Sequence, residues 1–299
     1  MKRVFIFLMT ISTALVYASA GAAFLKIPVD ARVCGIGEAA AAYIDNASAL
    51  YYNPAGLANI ESFNLLFMHN EWLLDMNHEY VAVGFGSNGI GTFGLSFNYW
   101  GSGEIQGITI RGDTVPGYYF SASDWCLNFG YGKAFGKSAF GLGFKFIGEK
   151  NESLSTSAYA GDIGGMFELP ITGLKTGFSL TNFGSKLKLD QESFSLPISV
   201  RLGWSYDLRV FGLSQDFIFS NTEKFGIALG AEYRVKEILS LRLGYRTSSD
   251  TEGFSNLRAG LGVFFKGFGF DYAFAPYGKL GLTHRFSISF QTQYQTIDK

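Results

Sequence analysis

The stretch Phe93-Gly94-Leu95-Ser96-Phe97-Asn98-Tyr99 alternates a bulky apolar side chain with a slim or polar one. Phe140-Gly141-Leu142-Gly143-Phe144-Lys145-Phe146 does the same. A period of two sends one set of side chains to each face of a β-strand. A single such strand would suit a soluble sheet that buries its greasy face. From residue 62 onward, however, the pattern recurs about fourteen times, with a turn after each copy. Aromatic residues make up 17% of the 299-residue chain and charged residues only 16%, so the greasy faces exceed what water would tolerate. The pattern predicts an all-β transmembrane antiparallel barrel with its bulky face on lipid and a polar lumen.

The connections support the same reading. Short joins are expected at 87–89, 136–137, 170–172, 207–208, 236–237 and 266–267. Longer ones are expected at 71–78, 101–122, 149–157, 184–194, 220–224, 248–255 and 276–280. Outer-membrane barrels alternate short periplasmic turns with long external loops in an even strand number. The count predicted is about fourteen, with twelve as the alternative. Tyr99, Trp100, Trp125 and Tyr245 fall at expected outer strand ends. Tyr131, Trp204, Tyr206, Tyr233 and Tyr294 fall at inner ones, as an aromatic interface belt would require.

The N-terminus reads differently. Lys2 and Arg3, an apolar run from Val4 to Val16, and Ala18-Ser19-Ala20 form a signal peptide over residues 1–20 with cleavage expected before Gly21. Beyond it no apolar run reaches the length of a spanning helix. Residues 21–61 are rich in Ala and Gly and lack alternation, which predicts a helical or irregular hatch rather than a wall strand. Asp45 and Asn46 are the expected N-cap of one helical turn through Leu50 and Tyr51, stopped at Asn53 by Pro54. The barrel then occupies 62–299. The two cysteines, Cys34 and Cys126, read either as one bridge or as two buried thiols.

The N-terminal block carries a resemblance. Asp30-Ala31-Arg32, Gly35-Ile36-Gly37-Glu38-Ala39 and Asp45-Asn46-Ala47-Ser48-Ala49-Leu50-Tyr51-Tyr52-Asn53-Pro54-Ala55-Gly56-Leu57 resemble the opening of the PorV/PorQ family of outer-membrane barrels. That family is related to FadL-type transporters of hydrophobic compounds, and Asn53-Pro54-Ala55 resembles the signature of their hatch. Thr181-Asn182-Phe183-Gly184, Leu241-Arg242-Leu243-Gly244-Tyr245 and Leu282-Thr283-His284-Arg285 extend the resemblance along the wall. It implies an outer-membrane location. It also implies a role in protein export or surface attachment of the type IX kind, with secreted cargo or secretion-system proteins as partners. FadL-like transport of hydrophobic small molecules is the alternative.

Alternation places Lys145, Asp162, Arg201, Asp216, Glu232, Arg234, Arg242, Arg246, Arg258, Asp271 and Arg285 on the lumen side, because an Arg or Lys facing lipid at mid-depth would cost about 2–4 kcal/mol. They read as a polar pathway or as ion pairs that hold the hatch, with Arg242, Arg246, Glu232 and Arg234 as the first hatch contacts. Asn53, Pro54, Ala55 and Gly56 form the candidate gating element. Trp72, Leu73, Leu74 and Met76 form an apolar cluster in an external loop, a candidate ligand or partner surface. The net charge of −1 offers no footprint for nucleic acid. His69, His78 and His284 match no metal-ligand spacing. With no P-loop, dinucleotide fingerprint or catalytic triad order, neither an enzyme nor a cofactor is expected.

Overall fold

In a computed structural model the fourteen long strands close into one antiparallel barrel. The structure describes residues 21–292 except 88, 110–112, 153, 190, 224, 237 and 248–252. The expected signal peptide and the last residues of the final strand, Tyr294 included, lie outside the described residues. The barrel strands are β1 (Phe63–Glu71), β2 (Asn77–Ser87), β3 (Gly91–Gly101), β6 (Ala122–Phe135), β7 (Ser138–Asn151), β8 (Leu154–Glu168) and β9 (Leu174–Gly184), followed by β12 (Ser199–Asp207), β13 (Phe211–Ser220), β14 (Gly226–Val235), β15 (Leu239–Arg246), β16 (Leu257–Phe265), β17 (Phe268–Pro276) and β18 (Leu282–Thr292). Two hairpins, β4 (Ile105–Ile108) with β5 (Thr114–Phe120) and β10 (Leu187–Leu189) with β11 (Glu192–Phe194), sit in the long connections after β3 and β9. Sequence reasoning had those connections as loops. β4, β10 and β11 are too short to show a period, and β5, Thr114-Val115-Pro116-Gly117-Tyr118-Tyr119-Phe120, does not alternate.

Each barrel strand pairs with its neighbour in sequence, and β1 closes on β18 with Phe63 opposite Thr292 and Glu71 opposite His284. Closure leaves no free sheet edge, which a chain in hydrocarbon requires because water cannot satisfy exposed N–H and C=O groups there. Phe93, Leu95, Phe97 and Tyr99 are exposed on the outside of the wall. Thr92, Ser96 and Asn98, from the other set, are buried inside. One irregularity interrupts the ladder. Between Gly161 and Ile163 the β8–β9 register shifts, with Asn182 in the left-handed region as the extra residue of a bulge.

The lumen is filled by residues 21–61. Their regular pieces are short: 3-10 turns at Ala23–Lys26 and Pro54–Asn59, α1 (Ala31–Gly35) and α2 (Ala49–Tyr52). The cap of α2 is Ser48, not Asp45 or Asn46. Asn46 instead makes a side-chain turn, its Oδ1 accepting from the Ser48 N–H at 3.0 Å, while Asp45 pairs with Arg32. The hatch runs against bare backbone. At Gly141, Gly164, Gly177 and Gly244 a Cβ would collide with Pro54, Asn53, Ala41 and Gly37 respectively. Glycine on the inner face is therefore the clearance that lets the Ala-rich hatch reach the wall. Cys34 and Cys126 are both buried free thiols in different apolar clusters.

A buried ionic seal between hatch and barrel

The polar contacts that hold the hatch join residues up to 256 positions apart, and the barrel's closure is what brings them together. Asp30 organises the hatch itself. Its Oδ1 caps α1 by accepting the Arg32 N–H at 2.8 Å, and its Oδ2 accepts from Asn46 and Ser48. Asp216 on β13 takes the Ala40 and Ala41 N–H groups, both at 2.9 Å, on one carboxylate oxygen. Arg201 on β12 donates to the Glu38 carbonyl at 2.9 Å and lies 3.7 Å from Asp216. Arg246 on β15 pairs with the Glu38 carboxylate and reaches Glu223 at 3.6 Å. Glu38 adopts a left-handed backbone (φ 66°) to present that carboxylate inside a run of small residues. Burial this complete makes each ion dependent on its partner, because removing one charge leaves the other desolvated.

A second group of charges lies nearer the short-turn end. Arg242 bridges Glu232 at 2.8 Å and Asp271 at 2.6 Å. Arg234 reaches Glu232 at 3.2 Å and Asp207 at 3.0 Å. Tyr43 of the hatch donates to Glu232 at 3.2 Å and accepts from Arg32 at 2.8 Å. Of the four first-choice hatch contacts, Arg246 and Glu232 therefore bond to the hatch, Arg242 packs its Cβ beside Gly35 of the hatch while its guanidinium holds wall carboxylates, and Arg234 holds wall carboxylates alone. Lys145 pairs with Asp162 at 2.9 Å and donates to Asn182 at 2.6 Å, pinning the bulge. Arg258 donates to the Ser255 and Leu257 carbonyls. Arg285, fully buried on β18, meets the Cys34 sulfur at 2.7 Å. Burial pushes the Cys34 thiol up, the Arg285 guanidinium opposing it, with a net rise.

Asn53, Pro54, Ala55 and Gly56 are all buried between the hatch core and β6–β8. Asn53 donates to the Ala41 carbonyl at 2.6 Å and to the Gly165 carbonyl at 3.3 Å, and accepts the Ala55 N–H at 3.1 Å. Its side chain thus cross-ties two hatch segments and the wall. Sequence reasoning missed Glu38, Tyr43, Asp30 and Arg32 as members of the seal. The signal was present in Glu38, the one charge between Gly35 and Ile44.

Above and below this seal the lumen differs in character. At the short-turn end a cavity of about 1130 Å³ opens beneath the hatch, lined by Arg32, Tyr43, Asp45, Glu232, Arg242 and Asp271 among others. At the long-loop end lies an apolar patch of the inner wall. Cys126, Ile147, Ala158 and Ala160 of β6–β8, with Leu187 and Leu196 from the connection after β9, form a chamber filled by Phe24, Leu25 and Ile27. Trp72 and Trp100 pack on its edge, and Trp72 also meets the Tyr277 ring at 4.9 Å. The predicted external cluster thereby divides: Trp72 turns inward, Leu73 and Met76 are half-buried and Leu74 is exposed. Among the described residues no group of His, Cys, Asp or Glu could hold a metal ion.

The same architecture recurs among solved outer-membrane channels. The toluene transporter TbuX of Ralstonia pickettii superposes with a TM-score of 0.65 at 13% identity, covering 89% of this chain and 98% of that one. A FadL homologue of Pseudomonas aeruginosa gives 0.59 at 11%, covering 90% and 99%. A deletion mutant of the monoaromatic hydrocarbon channel TodX gives 0.62 at 12%, covering 88% and 98%. At these identities the likeness is one of fold alone. No family model and no curated protein matches the chain.

Proposed function

We propose that the protein is a FadL-like conduit in the outer membrane for hydrophobic small molecules, closed in this structure by its own N-terminal segment. The observation that carries the reading is the apolar chamber at the long-loop end. There β6–β8 present Cys126, Ile147, Ala158 and Ala160 to the lumen, and the occupants Phe24, Leu25 and Ile27 are of the size and polarity of such a ligand. The hatch below is joined to the wall by ion pairs and backbone contacts, so passage requires part of it to shift. The cavity of about 1130 Å³ at the short-turn end then receives what passes. Solved channels of the same fold bear the names of a toluene transporter and a monoaromatic hydrocarbon channel, which agrees with this class of ligand. The protein-export role implied by the motif resemblance draws on no further observation.

The test is saturable binding of a hydrophobic fluorescent probe, 1-N-phenylnaphthylamine, to the detergent-purified protein, with toluene and a fatty acid as competitors. Phe24→Ala/Leu25→Ala vacates the chamber and is expected to bind the probe at least tenfold more tightly than the wild type. Equal, non-saturable partitioning of probe into both proteins and into detergent alone would remove the chamber as a ligand site. Co-purification of a stoichiometric protein partner, with no bound hydrophobic compound, would favour export instead.

A further inference from the structure

Two carboxylates face each other across the wall at the mouth of the apolar chamber without a cation between them. Asp124 on β6 and Glu149 on β7 are direct cross-strand partners. Both are half-buried, and both point to the lumen, since the intervening Trp125 and Gly148 lie against one another on the outer face. Like charges directly opposite one another on a sheet destabilise it. Among the described residues neither carboxylate has an ion-pair partner. Lys150, the nearest cation in sequence, is exposed and alternates to the other face. Lys26, the first cation of the hatch, is taken by Glu223 at 3.4 Å.

What does approach Glu149 of this pair is the start of the hatch. The Ala22 N–H donates to Glu149 Oε1 at 2.5 Å, and the Gly21 N–H donates to the Ser195 carbonyl at 3.1 Å. Chain geometry puts the Gly21 nitrogen within about 6 Å of the Glu149 oxygen. The seat is tight. A Cβ on residue 21 would stand 2.6 Å from Leu187 Cδ1, and Ala22 is fully buried with a left-handed backbone (φ 55°). Gly21 is also the residue that follows the small-x-small motif Ala18-Ser19-Ala20.

We propose that the α-ammonium created at Gly21 by removal of residues 1–20 is the missing counter-ion of the Asp124–Glu149 pair. Hydrolysis of the Ala20–Gly21 peptide bond, with water as co-reactant, leaves a carboxylate on the released peptide and an ammonium on Gly21. One neutral amide nitrogen thereby becomes a cation with three donors. One donor keeps Ser195, and the others face the two carboxylates. Processing thus turns a repelling pair into a latch that holds Phe24, Leu25 and Ile27 in the chamber. The inference stands apart from the transport reading: the latch is defined by where the chain begins and by charge, not by any ligand.

The test uses the mature protein purified from membranes in detergent. Intact mass is expected to give a chain beginning at Gly21. Labelling with ¹⁵N-glycine reports the α-amine by NMR, as the one glycine nitrogen that titrates, and leaves its three donors intact. Two flanking carboxylates favour the charged form, so its pKa is expected at least one unit above the ordinary value of about 7.7–8.0. In Asp124→Asn/Glu149→Gln it is expected to return to that value. Should the double variant fail to insert, Glu149→Gln alone keeps an oxygen for the Ala22 N–H and should lower the pKa part of the way. A mature chain that begins at another residue overturns the proposal. An amine that titrates normally in the wild type, or one whose raised pKa is indifferent to both substitutions, overturns it as well.

Discussion

Replacing Asp216 with Ala should loosen the hatch while leaving the barrel closed. One oxygen of that carboxylate accepts two backbone N–H groups, from Ala40 and Ala41, at a site with no solvent exposure. Each orphaned buried donor costs about 1–3 kcal/mol. The direct loss is therefore about 2–6 kcal/mol, before the weakened compensation of Arg201 is added. The wall ladder between β12 and β14 does not use this side chain, so the loss falls on the hatch–wall equilibrium. Cys34 reports it, because the thiol is fully buried and its raised pKa suppresses the reactive thiolate until the hatch opens. In a Cys126→Ala background, maleimide labelling of Cys34 should accelerate in proportion to the opening constant. At about 1.4 kcal/mol per tenfold, the low end of the range predicts a rise of about 30-fold. Barrel integrity is followed in the same samples by heat-dependent mobility on gels. A rise below threefold with the barrel intact would refute the claim that Asp216 anchors the hatch. Acceleration seen only when the barrel itself melts would refute the claim that hatch and wall open separately.

Asn53→Ala removes three hydrogen bonds that tie Ala41, Ala55 and Gly165 together, and should raise Cys34 labelling by about 100-fold at about 1 kcal/mol net per bond. Arg242→Met leaves Glu232 and Asp271 buried without their shared cation and should destabilise refolded protein by about 3 kcal/mol in urea titration; Arg242→Met/Glu232→Gln/Asp271→Asn should recover most of that loss. Phe144→Arg puts a charge on the outer face near the middle of β7 and should cost about 2–4 kcal/mol in folding into bilayers, whereas the same change at exposed Leu74 in a loop should cost less than 1 kcal/mol. Wild-type Cys34 should resist maleimide between pH 7 and 9 in the folded protein and react fully in urea, since its thiol is fully buried and burial disfavours the thiolate.

Much of the wall could be read without coordinates because a strand's period is local. Phe93 and Leu95 must face opposite to Gly94 and Ser96 whatever else the chain does, and the aromatic set then has only lipid to meet. The same rule turned Arg201, Asp216 and Arg285 inward. The hatch was legible as something other than wall, since Ala39–Ala42 has neither alternation nor bulk. Periodicity gives direction and says nothing of distance, and there the reading stopped. The bond from Asp216 to Ala40 spans 176 residues, and the pairing of Glu38 with Arg246 spans 208. Neither Arg246 nor Glu38 carries any local mark of the other. Which hatch residue each inward glycine clears likewise had no local mark until Pro54, Asn53 and Ala41 were found against Gly141, Gly164 and Gly177. The apolar chamber is assembled from β6, β7, β8, two loops and the first residues of the hatch. By itself the sequence determined which face of each strand meets hydrocarbon, because that choice is made residue by residue. Only the tertiary structure decided which buried charges share a partner and where the N-terminal segment comes to rest, because barrel closure sets those distances.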